Sequence, residues 1–172
     1  MGDIRLKTIR TALKRAGVVR KQHVILKSGI TSPFYFDIKK AYGNPSLIKS
    51  IAEYMARSTG KNVTCVAGTG YGGLPIAVAV AGLLKSNLAL VREIPKKHGT
   101  SAWIDGYVPT KHDRVLIVDD VITSGGSIKK TIGVIKKTGA KVIECQVIVN
   151  RSVKLPDLKI PIKYVINADE LV

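Results

Sequence analysis

The segment 115–127 constrains the fold of this chain more than any other feature of its sequence. Residues 115–118 are all aliphatic, which is typical of a strand buried on both faces of a parallel sheet. Two acids, Asp119 and Asp120, end this run, and a loop of small hydroxyl and glycine residues leads to a helix expected to begin near Ser127. That order places backbone N–H groups and the positive end of a helix at the carboxyl edge of a sheet, where a phosphate binds well. The two acids can accept hydrogen bonds from hydroxyl groups of the same ligand, so the segment predicts a site for a ribose 5-phosphate.

The alternative for this segment is an ordinary strand-to-helix turn, in which the paired acids only solvate the loop. It requires the acids, Thr123, Ser124 and the consecutive glycines Gly125 and Gly126 to coincide by chance where a buried strand ends. The number of residues that would have to coincide favours the phosphate and sugar site.

Strand-like and helix-like patterns alternate along the rest of the chain, which predicts an α/β fold with a doubly wound parallel sheet. The 172 residues are enough for a single domain with a core of its own. Expected strands lie at 63–67, 88–92, 114–118, 141–149 and 163–166, and expected helices at 3–16, 45–58, 74–84 and 127–138. Residues 1–40 are predicted to form a helix and a small cap over the carboxyl edge of the sheet. Residues 93–112 lack periodicity and are predicted to form a long mobile loop.

Composition argues against several classes of protein. No run of 18 or more apolar residues appears and the N-terminus has no apolar signal core, so a cytoplasmic protein is expected. Cys65 and Cys145 lack the spacing of a disulfide framework or a metal site and are expected to be reduced core residues. The formal net charge of +16 is compatible with nucleic-acid binding, but the cations are spread over helix faces without interleaved aromatics. A positive field that attracts polyanionic small molecules explains the charge with fewer assumptions, and thermophile surface chemistry is a further alternative.

The glycine-rich turn 68–73 is a second candidate anion site, because missing side chains let a ligand approach the backbone. The turn matches the Gly-x-Gly-x-x-Gly spacing between a strand and a helix, so a dinucleotide-binding fold is a competing interpretation. That fold needs an acid at a strand end about 20 residues later, whereas Glu93 follows Arg92 into a cationic segment. The dinucleotide fold is therefore the weaker alternative.

Several segments together resemble one known family. The segment 115–127 resembles the phosphoribosyl-pyrophosphate (PRPP) signature of the type I phosphoribosyltransferases. Residues 91–99, Val-Arg-Glu-Ile-Pro-Lys-Lys-His-Gly, resemble the catalytic loop of the orotate phosphoribosyltransferases in that family, and residues 27–37 are similar to their N-terminal substrate segment. Arg151, at a strand end, matches the arginine that binds the orotate carboxylate. The resemblance covers roughly residues 20–155 and implies the type I phosphoribosyltransferase fold.

The resemblance also implies an activity and a set of site residues. The implied reaction joins orotate and PRPP to give orotidine 5′-monophosphate and pyrophosphate in pyrimidine biosynthesis, with Mg²⁺ held mainly through PRPP. The implied assembly is a homodimer in which each catalytic loop reaches the neighbouring site. The implied catalytic residues are Asp119, Asp120 and Lys96. The implied PRPP-binding residues are Tyr71, Gly72, Arg92, Lys96, Lys97, His98, Asp119, Asp120, Val121, Ile122, Thr123, Ser124, Gly125, Gly126 and Ser127.

The base needs its own set of contacts. A flat pyrimidine needs an aromatic wall, and a carboxylate on it needs a cation. The implied orotate-binding residues are Lys27, Tyr35, Phe36, Thr123 and Arg151.

Two residues depart from the family pattern. Glu93 stands where the family usually has a lysine, and its carboxylate would repel pyrophosphate, so that contact is lost or is taken over by Lys97. Gly72 stands where many members have a lysine in the pyrophosphate turn. Pyrophosphate binding is therefore expected to depend more on Mg²⁺, Lys96 and Lys97.

Two other functions stay open on the sequence alone. The base could be a purine or another pyrimidine, although Lys27 and Arg151 favour a carboxylated one. The same fold serves PRPP-sensing transcription regulators, and the charge of +16 is compatible with such a role. Only about 20 residues precede the first substrate-like segment, too few for a helix-turn-helix unit. No specific nucleic-acid partner and no membrane partner are therefore expected.

Overall fold

The computed structural model describes residues 2–25, 31–60, 62–96 and 102–172. Three predicted site residues, Lys27, Lys97 and His98, and the neighbouring Gly99 lie outside the described residues. The helices are α1 (Gly2–Arg15), α2 (Pro45–Ser58), α3 (Gly70–Leu84) and α4 (Gly126–Lys136), with 3₁₀ helices at Ile38–Gly43 and Ala168–Glu170. The strands are β1 (Val19–Ile25), β2 (Thr31–Phe36), β3 (Cys65–Thr69), β4 (Asn87–Val91), β5 (Ile104–Gly106), β6 (Arg114–Ile122), β7 (Lys141–Asn150) and β8 (Ile162–Asn167). None of the described helices is long and apolar enough to cross a membrane.

The main sheet has the strand order β5-β4-β3-β6-β7-β8 within the described residues. All neighbours pair in parallel except β4 and β5, which are antiparallel. Counting only the parallel strands in chain order, the sheet reads 2-1-3-4-5, so the direction of winding reverses between β3 and β6. In open α/β sheets such a reversal opens a crevice at the carboxyl ends of the two strands, where ligands bind. The predicted α/β fold with a doubly wound parallel sheet is confirmed.

The two faces of the sheet are buried by different helices. Along β6, Leu116 and Val118 pack in the core cluster that includes residues of α1, α2 and α3. Val115 and Ile117 point to the opposite face and pack in the cluster that includes α4. This two-sided burial is why residues 115–118 of the strand are all aliphatic.

Three differences from the prediction matter for the site, and the ends of the other predicted helices and strands shift by at most two residues. Strand β6 continues to Ile122, so the paired acids lie inside the strand and not beyond it, because β7 continues alongside and pairs as far as Asn150. Helix α3 begins at Gly70, so Tyr71 and Gly72 belong to its first turn and not to an open turn. The short strand β5 falls inside the segment 93–112, for which the sequence predicts a loop. Three residues are too few for a periodic signal, and the strand forms through its pairing with β4.

The N-terminal cap consists of the antiparallel pair β1–β2 and the 3₁₀ helix that follows it. Phe36 and Ile38 are buried in the core cluster of α1–α3, and they fix the cap to the body of the protein. Asn44 then caps α2 by accepting a hydrogen bond from the Leu47 N–H at 3.1 Å, as its position before Pro45 predicts. The cap therefore has a rigid base.

Both cysteines are buried, unpaired thiols, as predicted. Burial raises the pKa of Cys65 to about 12 and also raises the pKa of Cys145. Neither thiol lies in the site described next.

Candidate active site

A cavity of about 870 Å³ lies at the point where the winding of the sheet reverses. Its volume is typical of sites for small molecules. The residues that line it are Lys39, Thr69, Gly70, Tyr71, Gly72, Val91, Arg92, Glu93, Ile94, Asp119, Asp120, Val121, Ile122, Thr123, Ser124, Gly125, Gly126, Ser127, Ile128, Lys130 and Thr131. The fold thus brings together four features that the sequence predicts separately. They are the acidic pair (Asp119 and Asp120), the phosphate loop (123–127), the glycine turn (68–73) and Arg92.

The acidic pair forms the centre of this cavity. Asp119 is only 7% exposed, and Asp120 is half-buried. The Asp120 N–H donates to Asp119 Oδ1 at 2.9 Å, and the Val121 N–H donates to Asp120 Oδ1 at 2.8 Å. Burial raises the pKa of Asp119, and the charge of Asp120 raises it further. Burial also raises the pKa of Asp120, which the contact with Asp119 and the charge of Lys39 partly offset. Two such carboxyl groups bind hydroxyl donors or a cation strongly, because either one relieves the cost of their burial.

The glycine turn packs directly against these acids. A Cβ at Gly72 would lie 2.4 Å from the carboxylate of Asp120, and a Cβ at Gly73 would lie 3.0 Å from Asp119 Oδ1. Gly70 has a φ of +63°, which favours glycine. The start of α3 can therefore approach the acids only because side chains are missing there.

Tyr42 of the cap lies beside the cavity, and the sequence analysis did not identify it. Its hydroxyl donates a short hydrogen bond to the Gly72 carbonyl. Burial raises the pKa of Tyr42, and the charges of Asp120 and Asp119 add to this, so the phenol stays a donor. No local pattern marks this tyrosine, since its partner lies 30 residues away in the chain.

The phosphate loop is held by backbone geometry. Gly125 has a φ of +75° and precedes the first turn of α4, and a Cβ there would lie 2.8 Å from Pro156 Cγ. The first N–H groups of a helix have no partners inside the helix. The loop from Thr123 to Ser127 lines the cavity at this helix end, which is the arrangement that a phosphate requires.

The described part of the predicted catalytic loop is held by Asp105, another residue that the sequence analysis missed. Asp105 forms ion pairs with Arg92 at 2.6 Å and with Lys96 at 2.8 Å. The hydrogen bond from Lys96 is the main cause that lowers the pKa of Asp105. Arg92 lines the cavity, whereas Lys96 is not among the residues that line it in the described part of the chain.

Glu93 places its carboxylate at the glycine turn. A Cβ at Gly70 would lie 2.8 Å from Glu93 Oε1. Lys130 donates to the Glu93 carbonyl at 2.6 Å and lies 5.5 Å from the centroid of the Trp103 ring, which fixes the backbone at this point. The start of α3 therefore has a negative side chain beside it.

Arg151 lies among the aromatic residues of the cap. Its guanidinium donates to the Phe34 carbonyl at 3.2 Å and stacks 4.4 Å from the centroid of the Phe36 ring. Burial lowers the pKa of Arg151, and nearby Tyr35 partly offsets this. Phe36 is a buried core residue that supports the arginine, whereas Tyr35 is half-buried.

The position of Arg151 links this group to the main cavity. The backbone N–H of Arg151 donates to the Ile122 carbonyl at 2.8 Å, and Ile122 itself lines the cavity of about 870 Å³. Arg151 does not itself line that cavity but lines a second one of about 490 Å³. The predicted base site and the predicted PRPP site are therefore adjacent, with Thr123 on the PRPP side.

The acidic pair also fits a magnesium ion. Mg²⁺ prefers one or two carboxylates together with substrate phosphates and water, and Asp119 and Asp120 supply two hard oxygen ligands in one cavity. Among the described residues, no group of three or more His, Cys, Asp or Glu side chains could hold a metal ion.

Replacing Gly72 by alanine tests the close contact between the glycine turn and the acids. The added Cβ must displace Asp120, and we expect kcat/KM to fall by about tenfold to hundredfold, because small displacements of a site group have effects of that size. Gly133→Ala in α4 is the matched control, since a Cβ there meets nothing within 4 Å. That control should keep its activity and gain about 0.5–1 kcal/mol of stability. Full activity in Gly72→Ala would contradict the placement of Asp120.

A mainly parallel sheet in an α/β fold, with an acidic pair and a loop at a helix N-terminus where its winding reverses, is typical of proteins that bind nucleotides and related phosphorylated ligands. Residues 37–170 match the phosphoribosyl transferase domain family, and the chain belongs to this family. It is similar to the orotate phosphoribosyltransferase of Methanocaldococcus jannaschii, with 40% identity over 139 residues that cover 81% of this chain and 78% of the relative. The orotate phosphoribosyltransferase of Pyrococcus abyssi is 37% identical over 139 residues, or 79% of this chain and 76% of the relative. The crystal structure of orotate phosphoribosyltransferase from Aeropyrum pernix superposes with a TM-score of 0.82 at 30% identity and covers 95% of both chains.

Proposed function

We propose that this chain is an orotate phosphoribosyltransferase, which transfers the phosphoribosyl group of PRPP to orotate in pyrimidine biosynthesis. The observation that carries the proposal is that the acidic pair, the phosphate loop and the glycine turn line one cavity. The activity named for relatives of up to 40% identity supports it. The products are orotidine 5′-monophosphate and pyrophosphate, and we place the reaction in the cytoplasm.

The reaction is a displacement at the anomeric carbon of the ribose. The bond from this carbon to pyrophosphate breaks while a bond to a ring nitrogen of orotate forms, and positive charge develops on the sugar. Asp119 and Asp120 bind the ribose hydroxyls and stabilise that charge. The loop from Thr123 to Ser127 binds the 5-phosphate at the start of α4. Mg²⁺ would be held mainly through PRPP, with Asp119 and Asp120 as the protein oxygen ligands beside it, and it would supply positive charge to the pyrophosphate.

The loop cations stabilise the departing pyrophosphate in this proposal. Arg92 and Lys96 are paired with Asp105, so they exchange this carboxylate for pyrophosphate when the loop closes. Lys97 and His98 are assigned to the same group by the resemblance. On the base side, Arg151 and Lys27 bind the orotate carboxylate, and Tyr35 with Thr123 contacts the ring.

A homodimer with shared sites is supported by the outer face of α3. This helix has no charged residue from Gly70 to Leu84, and such helices are normally covered. Tyr71 is 90% exposed and Val78 is 54% exposed, and both lie with Pro75 on one face of the helix. Because Tyr71 also lines the cavity, a subunit seated on this face would lie beside the site.

Mixing two inactive variants tests the shared site. If the Lys96 side chain acts in the partner's cavity, Lys96→Ala and Asp119→Asn should each be inactive alone. Subunit exchange should restore about a quarter of the wild-type rate, because half the dimers are mixed and each has one intact site. The measurement is orotate turnover after mixing and dilution, with unmixed samples as controls. No recovery in samples proven to contain mixed dimers would rule out the shared site.

A spectrophotometric assay of orotate consumption with PRPP and Mg²⁺ tests the activity. The assay is repeated with uracil, adenine and hypoxanthine in place of orotate. We expect turnover with orotate and little with the other bases. Preferred use of a purine would assign the chain to another member of the family, and PRPP binding without turnover of any base would favour a regulator.

A further inference from the structure

Lys39 is the most weakly paired cation of the cavity in the described part of the chain. Three cationic side chains line that cavity, namely Lys39, Arg92 and Lys130. Arg92 binds Asp105 at 2.6 Å, and Lys130 binds the Glu93 carbonyl at 2.6 Å. Lys39 forms a looser ion pair with Asp37 at 3.5 Å, and its side chain is 50% exposed. It can therefore turn to a ligand without giving up a close contact.

The 3₁₀ helix Ile38–Gly43 holds Lys39 in a fixed place. Ile38 and Ala41 are buried, and residues three apart lie on the same face of a 3₁₀ helix, so Lys39 lies on a different face. Tyr42 of the same helix donates to the Gly72 carbonyl. The base of Lys39 is thus tied both to the core and to the glycine turn.

The charge of Lys39 acts on the acidic pair. Burial raises the pKa of Asp120, and the positive charge of Lys39 partly offsets that rise. Asp120 in turn lies against Gly72, where a Cβ would meet its carboxylate at 2.4 Å. Lys39, Gly72 and Asp120 all line the same cavity, so a ligand at the glycine turn would share that cavity with the Lys39 side chain.

The glycine turn carries no cation of its own. Residues 68–73 have no lysine or arginine, and Glu93 adds a carboxylate beside Gly70. An anionic group bound there needs a cation from another segment, because backbone N–H groups alone leave most of its charge uncompensated.

We propose that Lys39 binds the pyrophosphate group of PRPP and so supplies, from the cap, the cation that the glycine turn lacks. This inference rests on the proposed function, because that function assigns the turn to pyrophosphate. Lys39 is a substrate-binding residue in this scheme, and its contribution is specific to the end of PRPP that carries the pyrophosphate.

Binding measurements on Lys39→Ala test the proposal, with Lys40→Ala as a matched control. Lys40 is the next residue, but it donates to the Gly17 carbonyl at 3.2 Å and does not line the cavity. PRPP, pyrophosphate and ribose 5-phosphate are titrated in the presence of Mg²⁺. We expect Lys39→Ala to lower the affinities for PRPP and pyrophosphate by about tenfold or more, since charge-assisted contacts are strong. The affinity for ribose 5-phosphate should change by less than about twofold. Lys39→Arg should restore most of the PRPP affinity.

Two results would overturn the proposal. If Lys39→Ala lowers the affinities for ribose 5-phosphate and PRPP equally, Lys39 acts through Asp120 and does not bind the pyrophosphate. Affinities in Lys39→Ala that equal those of Lys40→Ala would mean that it contacts no part of PRPP. Wild-type protein that neither binds PRPP nor uses orotate would instead reject the proposed function, so the two failures are distinguishable.

Discussion

Replacing Asp119 and Asp120 together by asparagine is expected to lower orotate turnover by about a thousandfold or more, because groups that stabilise transition-state charge have effects of this size. Asparagine keeps a side-chain oxygen, so it can still accept the N–H groups of Asp120 and Val121 that the acids now accept. The fold should therefore survive. What is lost is negative charge at the ribose and the site for a hard cation.

The same double variant should be more stable than the wild type above neutral pH. Burial raises the pKa of both carboxyls in the folded protein, so the folded state binds protons more tightly than the unfolded chain. The wild-type free energy of unfolding therefore falls as pH rises from the unfolded pKa of about 3.9 through the raised folded values. Asparagine has no charge to bury and avoids this loss. We expect a gain of about 1 kcal/mol or more near pH 8 that disappears towards pH 4.

Urea denaturation at several pH values and the orotate assay measure the two effects. Asp157→Asn is the control, since Asp157 is an exposed residue that pairs with Lys159 outside the cavity. Asp157→Asn should keep the orotate turnover of the wild type and should not gain stability near pH 8. Near-normal turnover in the double variant would remove the acidic pair from the mechanism. A loss of stability near pH 8 would show that the acids hold the fold together.

Replacing Arg151 by alanine is expected to remove most of the preference for orotate over uracil. A base without the carboxylate forfeits a charge-assisted contact with a half-buried guanidinium, which is worth about 2–5 kcal/mol. At about 1.4 kcal/mol per factor of ten, the wild type should prefer orotate by a factor of about 30 to about 4,000. Because Arg151 stacks on Phe36 and bonds to the Phe34 carbonyl, it is held in place before the base binds.

Values of kcat/KM for both bases in both proteins decide this prediction. PRPP affinity should stay nearly unchanged in Arg151→Ala, since Arg151 does not line the cavity that contains the acidic pair. Arg15→Ala, at the exposed end of α1, controls for the loss of a positive charge. A wild type that uses uracil and orotate equally would reject orotate as the substrate. A variant that keeps the preference would move the carboxylate contact elsewhere, with Lys27 the next candidate.

The sequence determined the centre of the site. The strand at 115–118, the acids after it, the glycines of the phosphate loop and the helix near Ser127 are all specified by neighbouring residues, because strand periodicity and turn chemistry are local. The alternation of strands and helices likewise fixed the α/β class. Which residues bind PRPP, the extent of the cap and the mobility of the loop remain predictions.

Only the tertiary structure decided what surrounds that centre. Tyr42 meets Gly72, Asp105 pairs with Arg92, and Lys39 approaches Asp120, and each pair is separated by at least 13 residues of chain. Such contacts depend on how the cap and the sheet pack, and no local pattern encodes them. The same packing made Phe36 a core support for Arg151 and turned 104–106 into a strand. Local sequence thus specified the acids and the phosphate loop, while long-range packing decided which tyrosine and which charges surround them.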